Sequence, residues 1–393
     1  MSDNMYDYVI VGAGIVGMTI AYELLQRGND SIRILIVEKE SDVAFHASGR
    51  NSGVLHAGFY YSADSLKAKL TVEGNRLMKE FCKSHGIHVN KTGKLVVASN
   101  LQELDGLKEL KRRGDVNGVE LELITEKEAQ LIEPNIRTYK YALWSPNTAS
   151  VNPKKVCMTL RDELISKGVV FAFNTDFLKS NYSYKFLVNA AGLYADKVAK
   201  RFGLAKEYTL LPFKGRYAKY TGIKNFVKTN IYPVPNLKNP FLGVHYTVTN
   251  TDEIKIGPTA TPVFWREGYS LFKKFKLREF AEISYYILKL FVKNKFGFRE
   301  LAFEELKNYN RKYYESKACK MVACFDSKFK SMPAGIRAQL LNTKTLELVQ
   351  DFVVEQTESS IHVLNAVSPA FTCSFAFAKY IADKIEIIKK EMR

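Results

Sequence analysis

Cysteine is scarce in this 393-residue chain: Cys82, Cys157, Cys319, Cys324 and Cys373 form no Cys-x-x-Cys pair. That spacing excludes a disulfide framework and an ordinary zinc site, so no metal is expected, and the scatter fits reduced thiols in a cytoplasmic setting. No apolar run reaches about eighteen residues, so no spanning helix is expected. Nor does a leader pattern stand before the first apolar run, since MSDNMYDYVIVGAG leads straight into it. Histidine numbers only six, so each candidate acid–base residue can be weighed on its own. Acidic residues are outnumbered, 41 against 58, leaving a net charge of +17. Such an excess attracts anionic substrates, anionic membrane or nucleic acid, and it also arises from lysine-rich solvated faces. Repeats and low-complexity tracts are absent.

What is present begins with Tyr8-Val9-Ile10-Val11, a short apolar run that reads as a buried parallel strand. It enters Gly12-Ala13-Gly14-Ile15-Val16-Gly17, a helix ending near Arg27-Gly28-Asn29, and a second strand, Ile34 to Val37, closing on Glu38-Lys39. Gly12 permits the tight turn, Gly14 lets a pyrophosphate approach the backbone, and Gly17 lets helix pack on strand. Ile15 opens the helix at whose positive end the phosphates sit. Glu38 is suited to accept hydrogen bonds from a ribose diol. The glycine pattern alone is weak evidence, but strand, helix and terminal carboxylate together make a dinucleotide unit.

This unit does not separate FAD from NAD. FAD is longer, and its ring must be held by remote parts of the chain. Three segments look suited. SGRNSGVLHAGFYY, residues 48–61, has neither a helical nor a strand period; Ser48, Asn51 and Ser52 offer hydrogen bonds beside Gly53. Phe186 to Asn189 is an apolar strand running into Ala190-Ala191-Gly192. Near the end, Gly335-Ile336-Arg337 and Val367-Ser368-Pro369-Ala370-Phe371-Thr372-Cys373 precede an expected final helix over 374–388.

Together these segments resemble the D-amino-acid-oxidase-like superfamily of FAD enzymes. NSGVLHAGFYYSADSLKAKL, NAAGLYAD, IYPVPNLKNPFLGVHYT, GIRAQ and SPAFTCSFAFAKYIA narrow the resemblance to the L-2-hydroxyglutarate dehydrogenase/oxidase family, over nearly the whole chain. The resemblance implies FAD as cofactor and oxidation of L-2-hydroxyglutarate, or a similar 2-hydroxy acid, to the 2-oxo acid by hydride transfer to flavin. Two departures stand out: Arg50 replaces the family's usual histidine before Asn-Ser-Gly, and Lys214-Gly215-Arg216-Tyr217 replaces Arg-Gly-Glu-Tyr.

Such an oxidation needs a base for the hydroxyl proton and cationic donors for carboxylate. His56, between small residues, and His245, in an alternating segment, are the expected base or hydroxyl-polarising groups; the rival reading gives either ring only a structural hydrogen bond. His46, His85, His88 and His362 read as surface or loop residues. Arg337 is the leading carboxylate ligand, with Arg50 and Arg216 as further cationic donors. Tyr60, Tyr61 and Tyr232 are placed along the pocket wall.

The nucleotide motifs fall in separated blocks. An α/β, Rossmann-like FAD-binding domain is therefore expected over 1–85, 145–215 and 330–393, with an inserted α+β substrate (cap) domain over 86–144 and 216–329. Lys94–Ala98, Gly215–Tyr220, Leu242–Thr249 and Glu253–Gly257 read as cap strands. Residues 266–330 hold 16 Lys/Arg against 8 Asp/Glu, and runs such as LREFAEISYYILKLFVKNKFGF look like basic amphipathic helices. Peripheral contact with the anionic inner face of a membrane, with quinone or oxygen as electron acceptor, fits that pattern, as does an ordinary cap bathed in water. Nucleic acid is the weaker partner, since no recognised module is present. Two rival functions remain in view: an amino-acid or amine oxidase of the same superfamily, and a flavoprotein whose basic helices bind membrane or RNA.

Overall fold

The computed structural model describes residues 5–28, 32–235, 242–270, 274–323 and 328–392. Asn29, Phe241, Cys324 and the start of the lysine-rich run at 271–273 lie outside them. The chain's first strand, Tyr6–Val11, is flanked on both sides by parallel neighbours, Tyr184–Asn189 and Ile34–Val37. A six-stranded sheet grows outward from it, in the order Val353–Thr357, Ser360–Asn365, Tyr184–Asn189, Tyr6–Val11, Ile34–Val37, Val170–Ala172. Only its first pair is antiparallel. Continuous apolar runs explain this placement: Val9, Ile10, Leu35, Ile36, Leu187 and Val188 are buried on both sheet faces, as strands in the middle of a parallel sheet must be.

Helices Ile15–Arg27, Leu66–Ser84 and Ala370–Glu391 cover one face of that sheet. Ser65 caps the second of these by accepting a hydrogen bond from the Ala68 N–H. Gly74 lets the second and last helices touch, since a Cβ there would lie 2.6 Å from the Cys373 Cα. The last helix begins at Ala370, four residues earlier than the sequence reading placed it. Ala370, Phe371 and Thr372 carry no helix breaker once Pro369 is passed, so they form its first turn.

A second, eight-stranded mixed sheet runs Phe329–Ser331, Ala218–Tyr220, Ile254–Gly257, His245–Val248, Asn230–Pro233, Lys94–Val97, Tyr141–Ser145, Glu122–Thr125. The four expected cap strands all lie in it, each shorter than its apolar run. Between the two sheets, the antiparallel pair Tyr208–Gly215 and Gly335–Asn342 holds eight residues in register. Helix Leu277–Lys293 packs Ile283 and Leu290 beside Leu211, Phe213 and Leu341 of that pair. Arg266 and Asp196, both buried, clasp each other through two hydrogen bonds of 2.6 and 2.7 Å and tie segment 264–270 to helix Ala195–Lys200.

One histidine expectation is overturned. His362 is not a surface residue: it is fully buried on strand Ser360–Asn365, between the Asn189 amide at 3.0 Å and the Ser360 hydroxyl at 2.9 Å. Its position in an alternating sequence hid the fact that this strand is covered on both faces.

Candidate active site

A cavity of about 620 Å³ opens at the carboxyl ends of the six-stranded sheet, the place where the strand order reverses and ligands bind in open α/β sheets. That volume suits a single organic cofactor with room for a small substrate, within the usual range of about 300–1,000 Å³. Gly12 turns the chain there at φ +104°, and a Cβ would stand 2.6 Å from the Ala190 carbonyl oxygen. Helix Ile15–Arg27 starts at Gly14 with no capping side chain of its own; Ser48 Oγ, from a distant loop, accepts the Ile15 N–H at 2.9 Å. Glu38 ends its strand with one carboxylate oxygen accepting the Ala13 N–H at 2.9 Å and the other accepting the Glu40 N–H at 3.0 Å. Burial raises its carboxyl above the ordinary range.

The cavity wall gathers nearly every residue assigned to the cofactor: Gly12, Gly14, Ile15, Glu38, Lys39, Ser48, Asn51, Ser52, Ala191, Gly192, Gly335 and Pro369 to Thr372. Two assigned glycines stand behind it. Gly17 lies against the turn, where a Cβ would meet the Gly12 carbonyl at 2.1 Å, and Gly53 (φ +78°) lies against the Val151 carbonyl. Asn51 is a loop clasp, donating to the Ala47 and Ser48 carbonyls and accepting the Gly53 N–H. This helix start, with glycines where a side chain would collide, fits the pyrophosphate of a dinucleotide. The length of the cavity, from Glu38 to Thr372, fits FAD.

The end bounded by Glu38 carries a network the sequence reading missed. Glu267 is reached by Lys39, by Lys274 at 2.7 Å and by the Tyr194 hydroxyl at 2.8 Å, while Glu40 takes Lys274 at 2.8 Å and His46 Nε2–H at 2.9 Å. His46, a partly exposed loop residue as expected, therefore also lines the cavity. Glu40, His46 and Glu267 have metal-type donor atoms within 4.8 Å of one another, but two ammonium groups already occupy the carboxylates.

The other end is cationic and aromatic. His56, His245, Tyr217, Tyr232 and Arg337 line it. His245 donates Nδ1–H to the Gly243 carbonyl at 2.9 Å, which leaves Nε2 with its lone pair, and its ring stacks on Tyr232 at 3.7 Å. Burial, reinforced by Lys94, pushes His245 down to about 3; burial and Lys94 likewise hold His56 well below the usual imidazole range. Both rings are neutral near pH 7. Arg337 enters from strand Gly335–Asn342, its backbone paired with Phe213. Burial pushes Tyr217 up to about 12 and Lys255 down to about 8, the latter donating to the Ser52 carbonyl at 2.9 Å. Tyr217 had carried no signal beyond its place in the departing KGRY motif.

Three expected substrate ligands are corrected. Arg216 is turned away from the cavity: its guanidinium donates to the Asn308 carbonyl at 2.7 Å and lies 4.5 Å from the Tyr309 ring centre. Arg50 touches the cavity wall but spends its donors on the Phe45 and Ala334 carbonyls at 2.7 and 3.1 Å, above the Tyr269 ring. Tyr60 is buried behind the wall, stacked on Phe59 at 4.4 Å. Tyr61 also stands outside the lining. Both basic departures from the family pattern thus serve loop carbonyls, which absorb a guanidinium as readily as a substrate carboxylate does.

The comparisons agree with this geometry. The family model described as FAD dependent oxidoreductase (DAO) matches residues 7–384. A Caenorhabditis briggsae protein named L-2-hydroxyglutarate dehydrogenase, mitochondrial, is 36% identical over 411 residues, covering 96% of this chain and 93% of that protein. The Escherichia coli K12 L-2-hydroxyglutarate dehydrogenase is 32% identical, covering 98% and 94%. Among solved structures, an L-alpha-glycerophosphate oxidase from Mycoplasma pneumoniae with FAD bound superimposes with a TM-score of 0.74 at 20% identity, covering 97% of this chain and 95% of that one. Glycine oxidase from Geobacillus kaustophilus gives 0.71 at 18%, covering 98% and 95%.

Proposed function

Because the chain belongs to the family of FAD-dependent oxidoreductases, with a Rossmann-like FAD domain and a cap, we propose that this enzyme oxidises L-2-hydroxyglutarate, or a close 2-hydroxy acid, to the 2-oxo acid. The observation that carries the reading is the cavity end where Arg337 meets two neutral histidines. Near-full-length relatives named for that reaction support it.

Gly12, Gly14 and Ile15 hold the pyrophosphate, Glu38 and Lys39 the ribose side, and residues 48–52, Ala191, Gly192, Gly335 and Pro369–Thr372 the remainder of FAD. When bound, FAD supplies the two-electron acceptor for the substrate's C2 hydride. The chain's own residues do the rest. Arg337 grips a carboxylate through its planar fork. His56 or His245 takes the hydroxyl proton, and burial excludes water from both. The segments 1–85, 145–215 and 330–393 form the FAD portion in this proposal, since all six strands of the parallel-type sheet fall within them; 86–144 and 216–329 form the cap.

Charge favours a hydroxy acid over an amino acid. Arg337 lines the pocket and Lys255 stands close to His245, so a substrate ammonium would enter a positive field. Glu305, a carboxylate on the cavity wall, accepts the Ala260 N–H at 2.6 Å. Anaerobic absorption spectra test the reading: addition of L-2-hydroxyglutarate bleaches the flavin, and amino acids do not. Bleaching by an amino acid alone would transfer the proposal to the amine-oxidase class.

A specific surface supports membrane docking with quinone as acceptor. Helix Leu277–Lys293 buries Ile283 and Leu290 yet presents Tyr285, Leu288 and Val292 to solvent at 57–63% exposure, flanked by Lys289 and Lys293. Among the described residues no helix is long and apolar enough to cross a membrane, so the contact is peripheral. Co-sedimentation with anionic liposomes, lost in L288E/V292E, is the expected result; binding by neither variant nor parent would overturn the docking reading.

A further inference from the structure

Lys94 is the most anomalous residue near the site. It opens strand Lys94–Val97, pairs in register with Asn230 and Ser145, and is completely buried. Lysine is almost never fully buried without a carboxylate partner. Here the described surroundings are aromatic: the ring centres of Tyr232, Tyr60 and Phe59 lie 4.1, 4.9 and 5.5 Å from Nζ. His56 Nδ1 lies 3.4 Å from Lys94 Nζ. His56 lines the cavity and Lys94 does not, so the lysine stands behind the histidine as seen from the substrate.

We propose that Lys94 is a positioning residue for His56: as a neutral amine it accepts the Nδ1 proton, leaving Nε2 free to take the proton of the substrate hydroxyl. This rests on the reading above that a 2-hydroxy acid meets His56. The exchange balances. The substrate O–H breaks as Nε2–H forms, Nδ1–H breaks as Nζ–H forms, and the C2–H electron pair leaves as the hydride already assigned to the family's oxidant. An ammonium has three donors and no acceptor. A protonated Lys94 therefore fixes the opposite tautomer, with Nδ1 as acceptor and Nε2–H facing the substrate, and His56 is then no base.

Both states of Lys94 are within reach. Burial brings its amine down to about 7. The groups facing this pair set the balance: the rings of Tyr60 and Tyr232 favour the ammonium through their π faces, while Arg337, from strand Gly335–Asn342, repels charge on His56 and His245. Lys255, on strand Ile254–Gly257, repels charge on His245 as well.

The test has two readouts. In oxidised flavoprotein labelled with ¹⁵N-histidine, the His56 ring is expected to switch from the Nε2–H to the Nδ1–H tautomer as pH rises through about 7, and to show no such switch in K94M. In anaerobic stopped-flow at saturating L-2-hydroxyglutarate, wild-type flavin reduction should rise about tenfold per pH unit below that midpoint and then level off. K94M should lose the inflection and about a hundredfold in rate, the usual worth of acid–base assistance. K94R, permanently charged, should remain slow at every pH. A retained inflection in K94M or K94R, or a His56 tautomer insensitive to pH in the wild type, overturns the proposal. If K94M does not fold, the wild-type ring titration decides alone. Absence of bleaching by any 2-hydroxy acid would count against the substrate reading and leave the ring titration standing.

Discussion

Replacing Arg337 by alanine tests the cationic end of the cavity most directly. Its backbone is locked in an eight-residue antiparallel register with Tyr208–Gly215, so the strand persists when the side chain is removed. A planar fork on a carboxylate makes two charge-assisted hydrogen bonds, each worth about 1.5 kcal/mol at the low end, or about 3 kcal/mol together. At 1.36 kcal/mol per decade this is about 150-fold in kcat/KM. Arg337 also helps to depress both histidines, so its loss should raise their pKa values while leaving the inflection near pH 7, set by Lys94, in place. Most of the effect should appear in KM, because the carboxylate is held alike in ground and transition states. R337K keeps the charge without the fork and should recover about tenfold. Anaerobic titration of flavin bleaching with L-2-hydroxyglutarate, with FAD content and Tm as controls for folding, measures all of this. A KM within twofold of wild type in R337A would refute the assignment.

Gly12→Ala should yield protein without FAD, read as loss of the yellow absorption, because its Cβ meets the Ala190 carbonyl at 2.6 Å and its φ of +104° excludes L side chains. R216A should leave KM within about twofold while lowering Tm, since this guanidinium serves Asn308. Acid should unfold the protein early. His245 and His362 have folded values of about 3 and about 4 against the ordinary imidazole value of 6.5, so the unfolded chain binds more protons between those limits. Stability is then full above about 6.5 and falls as pH drops, by roughly 1.4 kcal/mol per pH unit for each ring. Denaturant midpoints at pH 7 and 5 measure the slope; equal midpoints would contradict the buried neutral rings.

Some of this protein was legible from residue order because the relevant physics is local. A four-residue apolar strand, glycines at positions 12, 14 and 17 and a carboxylate at 38 satisfy one another within about thirty residues, and their task follows from backbone geometry. The stretch around Asn51 and the small residues at 190–192 were readable because bulk was missing where a ligand must approach. Side-chain direction was not readable in this way. Arg50, Arg216 and Arg337 look alike on paper, yet Arg337 lines the aromatic end of the cavity beside His56 and His245, whereas Arg50 and Arg216 reach loop carbonyls at Ala334 and Asn308, 284 and 92 residues distant. Lys94 heads an ordinary apolar strand, and its burial depends on neighbours contributed by Asn230 and Ser145. Residue order thus determined that the chain binds a dinucleotide, since that follows from backbone shape over short spans. Tertiary structure alone decided which charges are buried and what they face, because the dielectric and partners around a side chain come from segments far away in sequence.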